Sequence, residues 1–407
     1  MVEEKKIAEG FQQTDAGIIP NDWVVKPLHE IAHFENGKAH EQFIDEHGDY
    51  IVVNSKFIST EGRVKKFSKR NIFPLKKGDI TIVMSDIPKG KALAKCYLIE
   101  ADDRYTLNQR IGGITANEDT DNKYLFYKLN RNKYYLAFDS GTGQTNIKRQ
   151  EILDCPVALP STKDEQENIS SAIFDCNSLI LELEKLLIKK RNIKKGAVQE
   201  LLTPKPDWIE KELGKSAILK ARIGWQGLTT AEYKDTGDYY LITGTEFHNG
   251  YIDWDNCHFV EYERYKQDKN IQVKEHDVLV TKDGTIGKVA LIKNVPKPAT
   301  LNSGVFVIRP IEDSFNPEFF YFILLSDVFL RFLSQLSAGS TINHLYQKDF
   351  VTFKFKVPKT IDEQESIAKI LFDMDSEIEH LEKKLTKVKA LKNGIMQDLL
   401  TGKKRLK

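Results

Sequence analysis

Two stretches of the chain place apolar residues at alternating intervals of three and four, the spacing that lines them up along one stripe of an α-helix. In the first, the stripe is Ile169, Ile173, Cys176, Ile180, Leu183 and Leu187, resuming at Ala197 and Leu201. The second runs Ile367, Leu371, Met374, Ile378, Leu381, Leu385, Val388, Ile395 and Leu399. Each opens with a proline and then a threonine with a glutamate three residues on, Thr162 with Glu165 and Thr360 with Glu363. That pattern predicts a reciprocal capping box at each helix start. The stretches are copies: aligned without a gap from Pro160 and from Pro358, they share 22 of 44 positions. A helix of about 40 residues is about 60 Å long. Neither stripe is stable in water, and the nearest cover for each is the other. Two long helices packed antiparallel are therefore expected, with Ile173 and Leu183 facing the 367–399 stripe and Leu381 buried in the seam.

The regions ahead of the helices are also repeated, in layout more than in sequence. Asp22-Trp23 opens one and Asp207-Trp208 the other. Gly48-Asp49-Tyr50 and Gly237-Asp238-Tyr239 each head a strand-like run, and Thr106-Leu107-Asn108 matches Thr300-Leu301-Asn302. LKKGDITIVMSD from Leu75 parallels VKEHDVLVTKDG from Val273. A Gly-Thr-rich loop closes each region, SGTGQTNI from Ser140 and SAGSTINH from Ser337. Short β-branched and aromatic runs broken by Gly, Asp and Asn read as strands and turns, and NPEFFYFILLSDVFLRFLSQL from Asn316 reads as helix. The predicted fold is α+β, a pseudo-twofold internal repeat. Its division is a first domain at 1–158 with an N-terminal arm, a spacer helix at 159–204, a second domain at 205–356, and a second spacer helix with a basic tail at 357–407.

Composition narrows the function classes. At 407 residues and 41% hydrophobic, the chain has material for several buried cores. No apolar run approaches the roughly 18 residues of a membrane span, and MVEEKKIAEG lacks the apolar core of a signal peptide. The four cysteines lie far apart without CxxC spacing, so the expected setting is a reducing cytoplasm. Net charge is +1, yet 54–110 holds 13 Lys/Arg against 6 Asp/Glu while 207–262 holds 5 against 10. Such polarity suggests either basic patches in a neutral whole or solvated loops of mixed charge, and charge alone favours the latter. Enzymatic signatures are missing. GTIGK at Gly284 lacks the full phosphate-loop spacing, no Gly-x-Ser-x-Gly elbow occurs, and His29 and His33 have no third ligand. No catalytic or metal residues are expected.

The paired DEQ-headed helices ending in QELLT and QDLLTGKKRL resemble the conserved regions of Type I restriction-modification specificity subunits. TDAGIIPNDW from Thr14 and DGTIGKVALI from Asp283 resemble elements of that family's domains, whereas MSDIPKGKALAKCYLI from Met84 departs from the second pattern. The resemblance covers essentially the whole chain. It implies two target-recognition domains that read a bipartite double-stranded DNA sequence, with the helices as a coiled-coil-like spacer setting the gap. It implies two methyltransferase subunits as partners, restriction subunits beyond them, and no catalysis by this chain. S-adenosylmethionine and ATP would belong to the partners, and this chain would hold no cofactor.

Base reading requires side chains that reach base edges, while phosphate contacts only position a domain. The loops supply Asn54, Ser55, Lys56, Lys89 and Lys91, then Thr142, Gln144, Thr145, Asn146 and Lys148, in the first domain. In the second they supply Thr243, Thr245, Lys282, Asp283, Thr285 and Lys288, then Ser340, Thr341, Asn343 and His344. Polar identities repeated on both helices mark candidate partner contacts: Gln166, Glu167, Lys185 and Gln199, with Gln364, Glu365, Lys383 and Gln397. Two rival classes have their own signatures. A stand-alone repressor would bind a specific duplex without a partner, and a nuclease with an unfamiliar site would cut DNA alone.

Overall fold

Both apolar stripes fold as single helices, Lys163–Leu201 and Ile361–Leu400, in a computed structural model that describes residues 7–87, 90–139, 141, 143–337 and 344–406. Of the candidate residues, Lys89, Thr142, Ser340, Thr341 and Asn343 lie outside the described residues. The threonine half of each capping box forms, with Thr162 and Thr360 accepting from the backbone N–H of Glu165 and Glu363 at 3.3 Å. The glutamate half is replaced. Glu165 pairs with Arg405 at 2.5 and 2.8 Å, and Glu363 with Lys205 at 3.3 Å, because a cation is a stronger partner for a carboxylate than a neutral amide.

The chain forms two compact units, one of Met1–Glu184 with Lys383–Lys407, the other of Lys185–Glu382. This cuts across the four-part division read from the sequence. Each long helix gives its first part to one unit and its last part to the other, since its apolar stripe enters a domain core at both ends.

In the first unit, a four-stranded antiparallel sheet has the order Ala32–Asn36, Ile111–Ala116, Ile80–Val83, Cys96–Leu98. A three-stranded sheet sets Tyr50–Val53 between Tyr105–Leu107, which is parallel to it, and Phe67–Ser68. Pro156–Leu159 pairs with Val24–Pro27 and leads into the helix. The core joins Trp23, Leu28, Tyr124 and Leu129 to Ile169 and Ile173 of the first long helix and Leu399 of the second. Start therefore lies against end, and the two helices run antiparallel within this unit, Glu184 pairing with Lys389 at 2.7 Å further along. Lys128 donates to the carbonyl of Leu400 at 3.0 Å, a cation at a helix C-terminus. Arg405 bridges Glu165, 3% exposed, to Asp22 at 2.8 and 2.9 Å.

The second unit repeats the strand order: Ala217–Ala221, Val305–Pro310, Val278–Thr281, Val289–Leu291 in one sheet, and Tyr239–Ile242 between His258–Val260 and the parallel Ala299–Leu301 in the other. Its core joins Trp208, Phe319, Phe320, Phe350 and Phe353 to Ile367, Ala368 and Leu371 of the second long helix, with Ala197, Val198 and Leu201 of the first packed on it. Lys190–Glu377 and Arg191–Glu382 pairs, both at 2.6 Å, mark the same antiparallel run. Such exposed pairs contribute at most about 1 kcal/mol each, so apolar burial holds the helices in place. Among the described residues no single helix is long and apolar enough to cross a membrane.

The seam is less uniform than its sequence pattern. Ile173 and Leu183 are buried, but Ile180, Ile378, Leu381 and Leu385 are only half-buried, because a helix with one neighbour leaves a flank of its stripe open. Truncation should therefore be most costly where the stripe enters a domain core. Ile173→Ala in the first unit and Leu371→Ala in the second, both 0% exposed, should each cost about 2–5 kcal/mol in chemical denaturation, and Leu381→Ala clearly less. Equal losses at all three would contradict this distribution. Burial also pushes the Lys128 ammonium down to about 8 from its ordinary 10.5. Between those values the unfolded chain binds the extra proton, so stability of the first unit should rise with pH across that window. Lys128→Met should abolish the rise in a pH series of unfolding curves.

Candidate nucleic-acid interface

In the second unit, segments remote in sequence converge at one rim of the sheets. Thr243–Glu246 follow one strand, Lys282–Lys288 another, Asn302–Gly304 a third, and His344 comes from much further along. Backbone bonds join them: Asn302 N–H to Ile242 O at 2.8 Å, Lys282 N–H to Gly304 O at 2.8 Å, and Leu345 N–H to Lys282 O at 2.9 Å. On this frame His344 and Asp283 are hydrogen-bonded, Nδ1 to carboxylate. A carboxylate only accepts, so Nδ1 carries the hydrogen. Thr243 and Thr245 each donate their hydroxyl to Glu246 at 2.8 Å. Glu246 also accepts from the N–H groups of Thr243 and Gly244 at 3.0 Å and is 3% exposed. Thr281 donates to Thr285 O at 2.5 Å and accepts from Lys288 N–H at 2.9 Å. That loop turns at Gly284 and Gly287, with φ of 67° and 81°, a conformation that favours glycine. Lys282 stands 5.3 Å over the Phe306 ring.

The first unit builds the same frame. Asn108 N–H donates to Val53 O at 3.2 Å and Ile147 N–H to Met84 O at 2.8 Å, the counterparts of the Asn302 and Leu345 bonds. Ser85 and Asn146 occupy the places of Asp283 and His344, as facing residues of the strands Ser85–Asp86 and Thr145–Asn146. Gln144 donates to Ser85 Oγ at 2.7 Å. Asp86 then accepts from the N–H groups of Ile87, Ala92 and Leu93 at 2.9, 2.7 and 3.0 Å. It braces a loop that carries Lys91 and an Ile87 that is 70% exposed. The two rims thus share two of these backbone bonds and differ in the donors and acceptors they display.

Not every sequence candidate is available. Thr145 is 7% exposed and donates to Asp139 at 3.0 Å, so it serves its own turn. Asn54 accepts from Phe57 N–H at 2.9 Å and caps the helix Ser55–Ser59, which carries Ser55 and Lys56. Lys148 precedes the helix Arg149–Leu153, its N–H donating to Glu151 at 2.7 Å and its side chain exposed. Gln166 and Gln364, 3% and 1% exposed, are not partner surface. Each accepts the N–H of a helix-capping residue, Asp121 at 3.0 Å and Asn316 at 2.7 Å, and so fastens the long helix to its own domain. Glu167, Lys185, Gln199, Glu365, Lys383 and Gln397 are exposed. Among the described residues no group of three or more His, Cys, Asp or Glu is placed to hold a metal. Burial raises the Cys155 thiol to about 11 and Cys257 to about 12, which makes both poor nucleophiles. Sequence reasoning missed Asp86, Glu246 and Asn302. Their signal lay in the aligned strand ends, where a polar residue recurs after each apolar run.

Comparison with known proteins matches the family model described as Type I restriction modification DNA specificity domain at residues 20–191 and 224–390. The MjaVIII specificity subunit of a Type I restriction enzyme from Methanocaldococcus jannaschii is 24% identical over 98% of this chain and 97% of its own length. The EcoBI specificity subunit from Escherichia coli is 24% identical over 72% of this chain and 67% of its own. The crystal structure of a Type I restriction-modification S subunit from M. genitalium has a TM-score of 0.60 at 16% identity, covering 97% of this chain and 98% of that one. At that identity the likeness is one of fold.

The bracing by Asp86 is testable without a ligand. Asp86→Ala leaves three backbone N–H groups without their acceptor. Amide hydrogen exchange at Ile87, Ala92 and Leu93 should accelerate at least about tenfold, as the loss of about 1.4 kcal/mol or more implies, with the four-stranded sheet unchanged. Unaltered exchange at those amides would show that the loop is held by something else.

Proposed function

Since the chain belongs to the Type I restriction modification DNA specificity family, we propose that each of its rims reads one half of a bipartite duplex target on behalf of partner methyltransferase subunits. The observation that supports this most is the repeated backbone frame with exchanged side chains, Ser85, Gln144 and Asn146 in one unit against Asp283 and His344 in the other. Base edges are distinguished by their pattern of donors and acceptors. One scaffold used twice with different side chains is what reading two unlike half-sites requires.

In this reading the chain is a non-catalytic scaffold acting in the cytoplasm. Two methyltransferase subunits bring S-adenosylmethionine, and restriction subunits bring ATP-dependent cutting. The long helices are the docking ground for the methyltransferases. Their exposed polar residues repeat between copies, and apolar side chains remain in water beside them: Phe174 and Leu181, 46% and 57% exposed, in the first unit, and Ile370, 44% exposed, in the second. Exposed apolar clusters rimmed by polar groups are typical of protein contacts. Charge reversal at both Lys185 and Lys383 should weaken assembly, as measured by co-purification.

The decisive experiment for the reading itself is methylation mapping of genomic DNA from cells carrying a variant chain with its methyltransferase. Replacing residues 205–356 by the equivalent domain of a relative should change one half-site and leave the other intact. Inserting four residues near Leu187 adds about 6 Å of helix and should change the gap between half-sites without changing their bases. An exchange that alters both half-sites together would contradict separate reading.

A further inference from the structure

The two copies treat one matched residue differently. In the second unit Asn302 is 7% exposed and fully engaged. Its Oδ1 accepts from Leu228 N–H at 3.0 Å and Ser303 N–H at 2.8 Å, and its Nδ2 donates to the Tyr233 hydroxyl at 2.7 Å and to Leu228 O at 3.3 Å. The 228–233 segment thus fills the space beside it. Next door, Arg222, 1% exposed, is spent internally on Leu301 O, Thr300 Oγ1, Gln267 and Arg264 O.

In the first unit the counterpart Asn108 borders a hollow of about 280 Å³. Lys66, Arg110, Asn54, Gln109, His40 and Glu41 line it as well. Among the described residues the side chains of Asn108, Lys66 and Arg110 make no hydrogen bond or ion pair. Glu41 accepts from Gln109 at 3.3 Å. His40, 0% exposed, spends both ring nitrogens on Lys38 O at 2.6 Å and Thr106 Oγ1 at 2.7 Å, and burial holds its pKa below the ordinary value. Thr106 is the residue that meets Arg222 in the other copy, as Thr300. Where the second unit has a plugged niche and an internal cation, the first has an open polar niche and two outward cations. The niche lies at the same rim as Ser85, since Asn108 O accepts the N–H of Ile111, which pairs with Val83, the last residue of Ile80–Val83 and two residues before Ser85.

We infer that this niche seats a phosphodiester oxyanion, gripped by Lys66 and Arg110 and hydrogen-bonded by the Asn108 amide, and that it fixes the first unit's position on duplex DNA without reading sequence. The inference rests on the DNA-reading function proposed above. It assigns three positioning residues to the first unit, whereas in the second the matched Asn302 is engaged internally.

A phosphate contact has a signature that base contact and fold support do not share. Each cation placed on a phosphate adds about one unit to the slope of log affinity against log salt and weakens all sequences alike when removed. The assembled chain and methyltransferase complex would be titrated with target and scrambled duplexes between about 50 and 200 mM salt. Arg110→Gln and Lys66→Gln should each flatten the slope by about one unit on both duplexes and leave the methylated half-sites unchanged. Glu41→Gln should tighten binding. Unchanged slopes in both variants, or a changed half-site base, would overturn the assignment. So would inorganic phosphate shifting the Asn108 side-chain amide resonance while the slopes stay the same, since the niche would then hold a free anion instead of DNA. A wild-type complex that binds both duplexes equally would refute sequence reading instead, and the slopes would still decide the phosphate seat.

Discussion

The structure depends on one constraint: an apolar stripe on a helix of 39 or 40 residues must be covered at both ends. The chain meets it by making each domain core a joint product of two distant segments. Ile169 and Ile173 share a core with Leu399, and Leu371 shares one with the segment around Leu201. In the first unit the closure is reinforced by Arg405 on the buried Glu165 and on Asp22, and Lys128 donates to the Leu400 carbonyl. A buried carboxylate without its cation is strongly unfavourable, so this corner is held by chemistry as well as by area.

From that closure follows the freedom of the rims. Strand order and register are set by backbone bonds and buried apolar faces, and these are the same in both units. Polar pairs inside the scaffold have already diverged. Asp79 takes Thr115 at 2.8 Å where Asp277 takes Arg309 at 2.6 and 2.7 Å, and Thr106 meets His40 where Thr300 meets Arg222. If buried positions tolerate such exchange, exposed loop positions on the same frame tolerate more. A fixed backbone with exchangeable tips suits recognition, because phosphate and scaffold contacts position while base contacts specify.

The helices and the internal repeat were legible because a three-four apolar spacing over 40 residues has one physical meaning, and the two copies reinforce each other. The α+β character of the domains was legible from short apolar runs. The partition into units was not, since sequence adjacency assigns a helix whole to one domain, whereas its stripe is buried at both ends. The capping glutamates were misjudged for a related reason: the competing cations, Arg405 for Glu165 and Lys205 for Glu363, lie far off in sequence or outside the motif. Loop residues were the least legible. Polarity alone does not separate Thr145, turned inward to Asp139, from Gln144 beside it on the surface. Nor does it separate Gln364, buried under Asn316, from the exposed Glu365.

The central claim is that the two rims face two different stretches of one duplex. Directed hydroxyl-radical cleavage tests it most directly. A chelated iron reagent would be attached at Gln144→Cys and, separately, at Thr285→Cys, both exposed positions, in the complex assembled with its methyltransferase on target DNA. The account predicts two separate patches of strand cleavage, one over each half-site, each arising from one attachment point only. Cleavage of the same stretch from both positions, or none within either half-site while the complex remains bound, would contradict it.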